Sequence, residues 1–308
     1  MIEPTNNDLS RLSWHGRMIM LMLLLLTSLT IYSQGQTATL TGSLEKAVAQ
    51  NYPNQGGGNG IGGSSSAFDG NNKTFKVKGV TFTMVAVEGG TFMMGATSDQ
   101  GREAYNDEKP VHQVTLSSYY IGQTEVTQAL WKAVMGKNPS YSKGNNKPVE
   151  EVSWDDCQDF VIKLNQLTGK RFRLPTEAEW EYACRGGKKS RGYKYSGSNT
   201  IDDVAWYNDM VLYISNISNE IHRVATKSPN ELGIYDMSGN VWEWCQDWYD
   251  SYSSNAQTNP TGASSGSSRV NRGGSWFNNA KFCRSSRRYN NSPDSRRGDL
   301  GLRLVLSE

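Results

Sequence analysis

Cysteine, net charge and long apolar runs are all scarce in this 308-residue chain. Only four cysteines are present, Cys157, Cys184, Cys245 and Cys283, and their spacings of 27, 61 and 38 residues fit no zinc pattern such as C-x2-C. Charge is nearly balanced, with 32 Lys+Arg against 30 Asp+Glu, so no global field points to nucleic acid. No apolar stretch reaches the roughly 20 residues that a comfortable membrane span requires. No repeat of roughly 20–50 residues is visible, which argues against a solenoid or a propeller.

Aromatic and glycine residues are plentiful. Nine Trp, fifteen Tyr and 31 Gly suggest a turn-rich domain with an aromatic core rather than a long-helix protein. At the N-terminus, Arg11, His15 and Arg17 precede an apolar run from Met18 that weakens towards Tyr32. A basic flank, a short apolar core and Ser33-Gln-Gly35 read as a secretory signal over residues 1–35. No Cys closely follows the run, which argues against a lipid-modified terminus. The chain is therefore expected to be exported, to the periplasm, the cell surface or the medium, with membrane contact at most through this segment. Residues 36–73, with the run QGGGNGIGGSSSAFDGNN, read as a flexible tether, and residues 74–308 as a single folded domain. In an exported chain the four cysteines could pair as two disulfides, or they could be buried thiols.

Within the domain, Val80–Val87 alternates apolar and polar residues, as do Thr91–Met94 and His112–Leu116, the last leading to Tyr119-Tyr-Ile121; these predict strands. A polar, acidic loop is expected over residues 95–110. Three helices follow. Thr127 caps a run that ends at Gly136. Ser153, with Asp156 three residues on, caps a second, with Trp154, Cys157, Phe160, Val161, Leu164 and Leu167 on one face up to Gly169. Pro175 and a Thr176…Glu179 capping box open a third, with Trp180 and Ala183 inward. Beyond Gly186 the pattern is turns and short strands.

The C-terminal stretch 269–305 is dense in Arg, Asn and aromatic residues. Residues 269–303 hold nine basic residues (Arg269, Arg272, Lys281, Arg284, Arg287, Arg288, Arg296, Arg297, Arg303) and two acidic ones (Asp294, Asp299), a local net charge of +7. The planar five-donor guanidinium suits bracing of loops through internal carboxylates and carbonyls, and that is the expected role of many of these arginines. The stretch could hold a cysteine redox site or a surface for a ligand.

Seven segments occur in order: Gly89-Gly-Thr-Phe-Met-Met-Gly, Glu125-Val-Thr, Pro148-Val-Glu-Glu-Val-Ser-Trp, Arg173-Leu-Pro-Thr-Glu-Ala-Glu-Trp-Glu-Tyr-Ala, Leu232-Gly-Ile-Tyr-Asp-Met-Ser-Gly-Asn-Val-Trp-Glu-Trp, Arg272-Gly-Gly-Ser-Trp and Gly301-Leu-Arg-Leu. Together they resemble the formylglycine-generating enzyme, or sulfatase-modifying factor, family. The resemblance covers residues 80–305 and implies an α+β, C-type-lectin-like fold low in regular secondary structure. Enzymes of the family oxidise a sulfatase cysteine to formylglycine with O2, using two cysteines five residues apart that bind copper(I), a metal that soft thiolates select. The later cysteine falls at Cys283 and the earlier position is Asn278, a poor copper(I) ligand. Ser275 and Trp242 match further active-site positions. A branch of the family with a mononuclear iron site needs three histidines, and this chain offers only His15, His112 and His222. The resemblance also implies a structural calcium held by the side chains of Asp236 and Glu243 and the carbonyls of Gly239 and Val241, a donor set that suits a hard cation; the alternative is that both carboxylates brace the turn by hydrogen bonds.

A fixed frame, Arg-Gly-Gly-Ser-Trp…Cys-Arg…Pro-Asp…Gly-x-Arg-Leu, alternates with Phe277, Asn278, Asn279, Lys281, Phe282, Ser286, Arg288, Tyr289, Asn290, Asn291, Arg297 and Asp299. This resembles the variable region of target proteins of diversity-generating retroelements, which use the same lectin-like fold. Aromatic, Asn, Ser and Arg side chains are those of adaptable binding surfaces. The expected function is binding of a protein or glycan ligand, not nucleic acid, through these residues and Trp276. The alternatives are a formylglycine-generating oxidoreductase acting through Cys283, and a structural part of an envelope assembly.

Overall fold

Helix boundaries follow from side chains that satisfy orphan backbone donors. Thr127 accepts a hydrogen bond from Leu130 N at the start of α1 (Gln128–Met135). Ser153 and Asp156 form a reciprocal capping box on α2 (Trp154–Thr168), with both bonds at 3.0–3.1 Å. Thr176 and Glu179 do the same for α3 (Glu177–Cys184). Gly136 and Gly169 end the first two in the left-handed conformation. A single turn, α4 (Ile201–Val204), completes the α-helical content among the described residues.

The computed structural model describes residues 68–208 and 220–307. The expected signal segment and most of the expected tether therefore lie outside the described residues. The folded part begins earlier than residue 74. Phe68 packs on Tyr120 with ring centroids 5.3 Å apart, and the Tyr120 hydroxyl donates to Asp69 Oδ1 at 3.0 Å.

The strands are β1 (Lys73–Val77), β2 (Val80–Val87), β3 (Gly90–Met94), β4 (His112–Leu116), β5 (Tyr119–Gly122), β6 (Arg171–Arg173), β7 (Trp242–Trp248), β8 (Gln257–Thr258), β9 (Arg269–Arg272), β10 (Arg288–Asn291), β11 (Leu300–Leu302) and β12 (Val305–Ser307). They form a five-stranded sheet in the order β1-β2-β5-β12-β6, a four-stranded sheet β10-β9-β7-β11 and a three-stranded sheet β3-β4-β8. The C-terminal strand β12 thus lies between β5 and β6, antiparallel to both. The apolar C-terminal residues 300–307 are divided between β11 and β12, in two different sheets.

One core cluster gathers α1 and α2 against the five-stranded sheet, with Trp131 stacked on Phe160 at 4.9 Å. A second surrounds α3, all eight of whose residues are buried. Leu167, expected inward on α2, is 48% exposed, one residue before the helix ends at Thr168. Gly301 marks a close approach: a Cβ there would lie 2.3 Å from the Val149 carbonyl oxygen. All four cysteines are buried free thiols, so the disulfide alternative is not realised.

Candidate functional site

Buried arginine–carboxylate pairs form the frame of the C-terminal stretch. Arg272 reaches Glu181 of α3 and the carbonyl of Ser286. Arg284 makes a bidentate pair with Glu108 at 2.6 and 2.7 Å. Arg288 does likewise with Glu177 at 2.7 and 2.8 Å. Arg303 grips Glu243 and donates to the carbonyls of Gly122 and Tyr235. Bidentate charge-assisted bonds of this kind hold planar geometry strongly when solvent is excluded. Burial would raise the Glu108 carboxyl, but hydrogen bonds from Arg284 and Ser286 outweigh it and hold it below its ordinary value. The bracing role expected for these arginines is what the structure displays.

Three residues of the expected ligand surface are buried in this frame. Ser286 is buried against Gln100 and Glu108, and Arg288 is buried on Glu177, so neither reaches a ligand. Asp299 is buried as well, and supports the surface from beneath through Ser275 and Arg297. The other expected residues lie at or near solvent. Phe277 is 61% exposed and Tyr289 40%; Asn279, Lys281 and Arg297 are exposed; Trp276, Asn278, Phe282, Asn290 and Asn291 are half-buried.

They are mutually connected. Trp276 packs edge-on to Phe277 at 5.5 Å, and Trp242 lies 5.6 Å from Tyr289. Arg287 stands over the rings of Tyr105 at 4.1 Å, Phe282 at 5.3 Å and Tyr289 at 5.9 Å. Tyr105 was not anticipated. Its only sequence signal is an aromatic residue inside an acidic loop, two positions before Asp107, which pairs with Arg287.

The turn below these side chains is tightly fixed. Gly274 has φ +75°, and a Cβ there would meet Cys283 Sγ at 2.8 Å. Trp276 N donates to the Asn240 carbonyl and Asn208 N to the Asn278 carbonyl, each at 2.8 Å. Asn278 Oδ1 accepts from Trp242 Nε1 at 2.7 Å and lies 2.7 Å from Ser275 Oγ, which is 3.0 Å from Asp299 Oδ2. Cys283 has no solvent exposure and packs with Tyr195, Val204, Ala205 and Tyr207. Burial pushes its thiol up to about 12. The donor set does not fit copper(I): one sulfur is sealed and protonated, and the opposite position is an amide already bonded to Trp242.

The chain belongs to the sulfatase-modifying factor family. The model of the sulfatase-modifying factor enzyme 1-like domain matches residues 71–308. A chaperone protein LppX of Paenibacillus barcinonensis is 36% identical, over 74% of this chain and 91% of that protein. The formylglycine-generating enzyme of Streptomyces coelicolor is 29% identical, over 72% of this chain and 88% of that protein. Among solved structures, Treponema denticola variable protein 1 superposes with a TM-score of 0.68 and 35% identity, covering 76% of this chain and 98% of that one. The fold is thus the α+β, C-type-lectin-like single domain expected of the family.

The two side chains expected to hold calcium make hydrogen bonds within the protein. Glu243 Oε1 and Oε2 are both taken by Arg303, and Oε2 also by Trp180 Nε1, so a cation would have to displace a buried guanidinium. Val241 N donates to Glu125 Oε1, and Asp236 Oδ2 accepts from Ala225 N. Among the described residues no group of three or more His, Cys, Asp or Glu side chains is placed to hold a metal. Instead, Glu125, Asp236 and Glu243 surround Arg303. Burial, reinforced by their mutual repulsion, raises Glu125 well above its usual range and Asp236 to about 6.

Proposed function

We propose that this protein is an exported, non-catalytic binding member of its family, which holds a protein or glycan ligand on the face formed by Trp276, Phe277, Asn278, Asn279, Lys281, Phe282, Tyr289, Asn290 and Arg297. The observation that carries the reading is Asn278. Its amide stands where the family's enzymes need a thiolate, and it locks Trp242 and Ser275 into a hydrogen-bonded floor. The displayed groups are rigid aromatic area interleaved with short hydrogen-bonding side chains, held on a frame that does not need to move on binding. The family resemblance to a Treponema variable protein supports the same reading.

The test is titration of copper(I) into wild type and Asn278→Cys, followed by incubation with O2 and a Cys-x-Pro-x-Arg peptide. Wild type is expected to bind no copper tightly and to form no aldehyde. Aldehyde formation that disappears in Cys283→Ser would overturn the proposal. The relation to diversity-generating retroelements is tested at the locus: a near-copy of the codons for residues 270–300 beside a reverse transcriptase gene supports it, and absence of both removes it.

A further inference from the structure

A second cavity, away from the C-terminal face, has no part in that reading. It has a volume of about 510 Å³ and lies between the three-stranded sheet, the start of α3 and the loop after β7. Two of its wall residues carry acceptor atoms with no partner among the described residues. Asp247, 4% exposed, accepts from Glu177 N at 3.0 Å through Oδ2, while Oδ1 accepts no hydrogen bond from the described residues. His112 turns Nδ1 to the Pro110 carbonyl at 3.1 Å, so that nitrogen carries the hydrogen and Nε2 is left as an acceptor in the uncharged ring. The cavity's only arginine, Arg288, is spent on Glu177 and on the carbonyls of Asp107 and Asp250. Tyr252 and Trp248 supply aromatic wall, and exposed Asp250, Ser251, Ser253 and Thr261 form the mouth.

We propose that this cavity is a binding site for an aminoalkyl ligand, whose primary ammonium is received by Asp247 Oδ1 and His112 Nε2 and whose methylenes lie on Tyr252 and Trp248. Asp247 Oδ1 and His112 Nε2 are both acceptors, so a group that meets the two must bring more than one hydrogen, and a primary ammonium brings three. A positive charge is favoured because, among the described residues, neither Asp247 nor Asp250 is in a direct ion pair. Aromatic walls add attraction for an ammonium.

Binding is linked to a proton. Burial, then the neighbouring Glu177 carboxylate, pushes Asp247 up to about 8. The other charged groups facing it are Glu179 of α3, Arg288 of β10, Arg269 of β9 and Arg173 of β6, with the Cys245 thiol beside it on β7. An arriving ammonium favours the ionised carboxylate, so at neutral pH the site takes up the cation and releases a proton.

The test is calorimetric titration of the full chain with n-butylammonium, with n-butanol as the uncharged counterpart and N-acetyl-lysine methylamide as a model of a protein side chain. Butylammonium should bind one to one, tightening between about pH 6.5 and pH 8.5, with heats that depend on the buffer as proton release requires. Butanol should not bind. Asp247→Asn should weaken binding by about tenfold or more. Ser253→Trp, at the mouth, should block binding with Asp247 intact. Phe277→Ala should leave it unchanged, which separates this site from the C-terminal face. Binding of the lysine model assigns the site to protein lysines, and its exclusion to free amines. The proposal is overturned by absence of saturable butylammonium binding, by equal affinity for butanol, or by full retention of binding in the folded Asp247→Asn protein.

Discussion

Neighbouring residues of the C-terminal stretch differ sharply in how much they can change. Arg284 and Phe277 lie seven positions apart in sequence. Arg284 is buried on Glu108, and replacing it with Met leaves that carboxylate without its ion partner, at a cost on the order of 3–5 kcal/mol in urea unfolding. Phe277 is mostly exposed, and Phe277→Ser should change stability by about 0.5 kcal/mol or less. If Phe277→Ser destabilises as much as Arg284→Met, the division between frame and displayed residues is wrong. The same contrast explains what the sequence revealed of the site. Arginine composition disclosed the bracing, but the partners lie far away in the chain, at Glu108, Glu177, Glu181 and Glu243, and no local pattern joins them. Hence Ser286 and Arg288 read as surface from the sequence, although they lie in a buried run from Cys283 to Arg288.

Elements were most legible where backbone chemistry is local. The caps at Thr127, Ser153 and Thr176 set all three longer helices at the expected residues, because a side-chain oxygen reaching the N–H three positions on is a short-range event. Thr176→Ala should cost about 1 kcal/mol by thermal unfolding, and a neutral result would count against the capping box. The sheets were less legible. The order β1-β2-β5-β12-β6 pairs strands as distant in the chain as Tyr120 and Leu306, which alternation alone does not specify. The split of residues 300–307 between two sheets has the same origin: Arg303 turns inward to Glu243 at the join, and the strand pattern cannot register a buried ion pair.

For the whole molecule, buried ionisable groups give stability a pH dependence. Asp247 and Asp236 have raised folded values of about 8 and about 6, against an unfolded value near 4. A raised value means that the folded state holds the proton more tightly, so the stabilisation is complete below about pH 4 and is lost as pH rises through the folded value. Asp247→Asn should therefore gain on wild type progressively between about pH 4 and pH 8, read as a widening difference in Tm. A constant difference would show that Asp247 titrates normally. The four sealed thiols predict a second global property. Native protein should react with a thiol reagent only as fast as it unfolds, and all four should react at once in denaturant. Rapid labelling of Cys283 in the native state would revive the redox reading of the site.

A buried run from Cys283 to Arg288, set between displayed residues, restricts which sequence changes this face can absorb. Along residues 284–289, the side chains of Arg284, Ser286 and Arg288 are spent on Glu108 and Glu177, whereas Tyr289 points to solvent. A single inserted or deleted residue would move every later arginine off its carboxylate and carry the displayed set inward. Novelty here must therefore come by exchange of side chains at constant length. A process that diversifies this face while keeping the fold has to copy the segment without gaps.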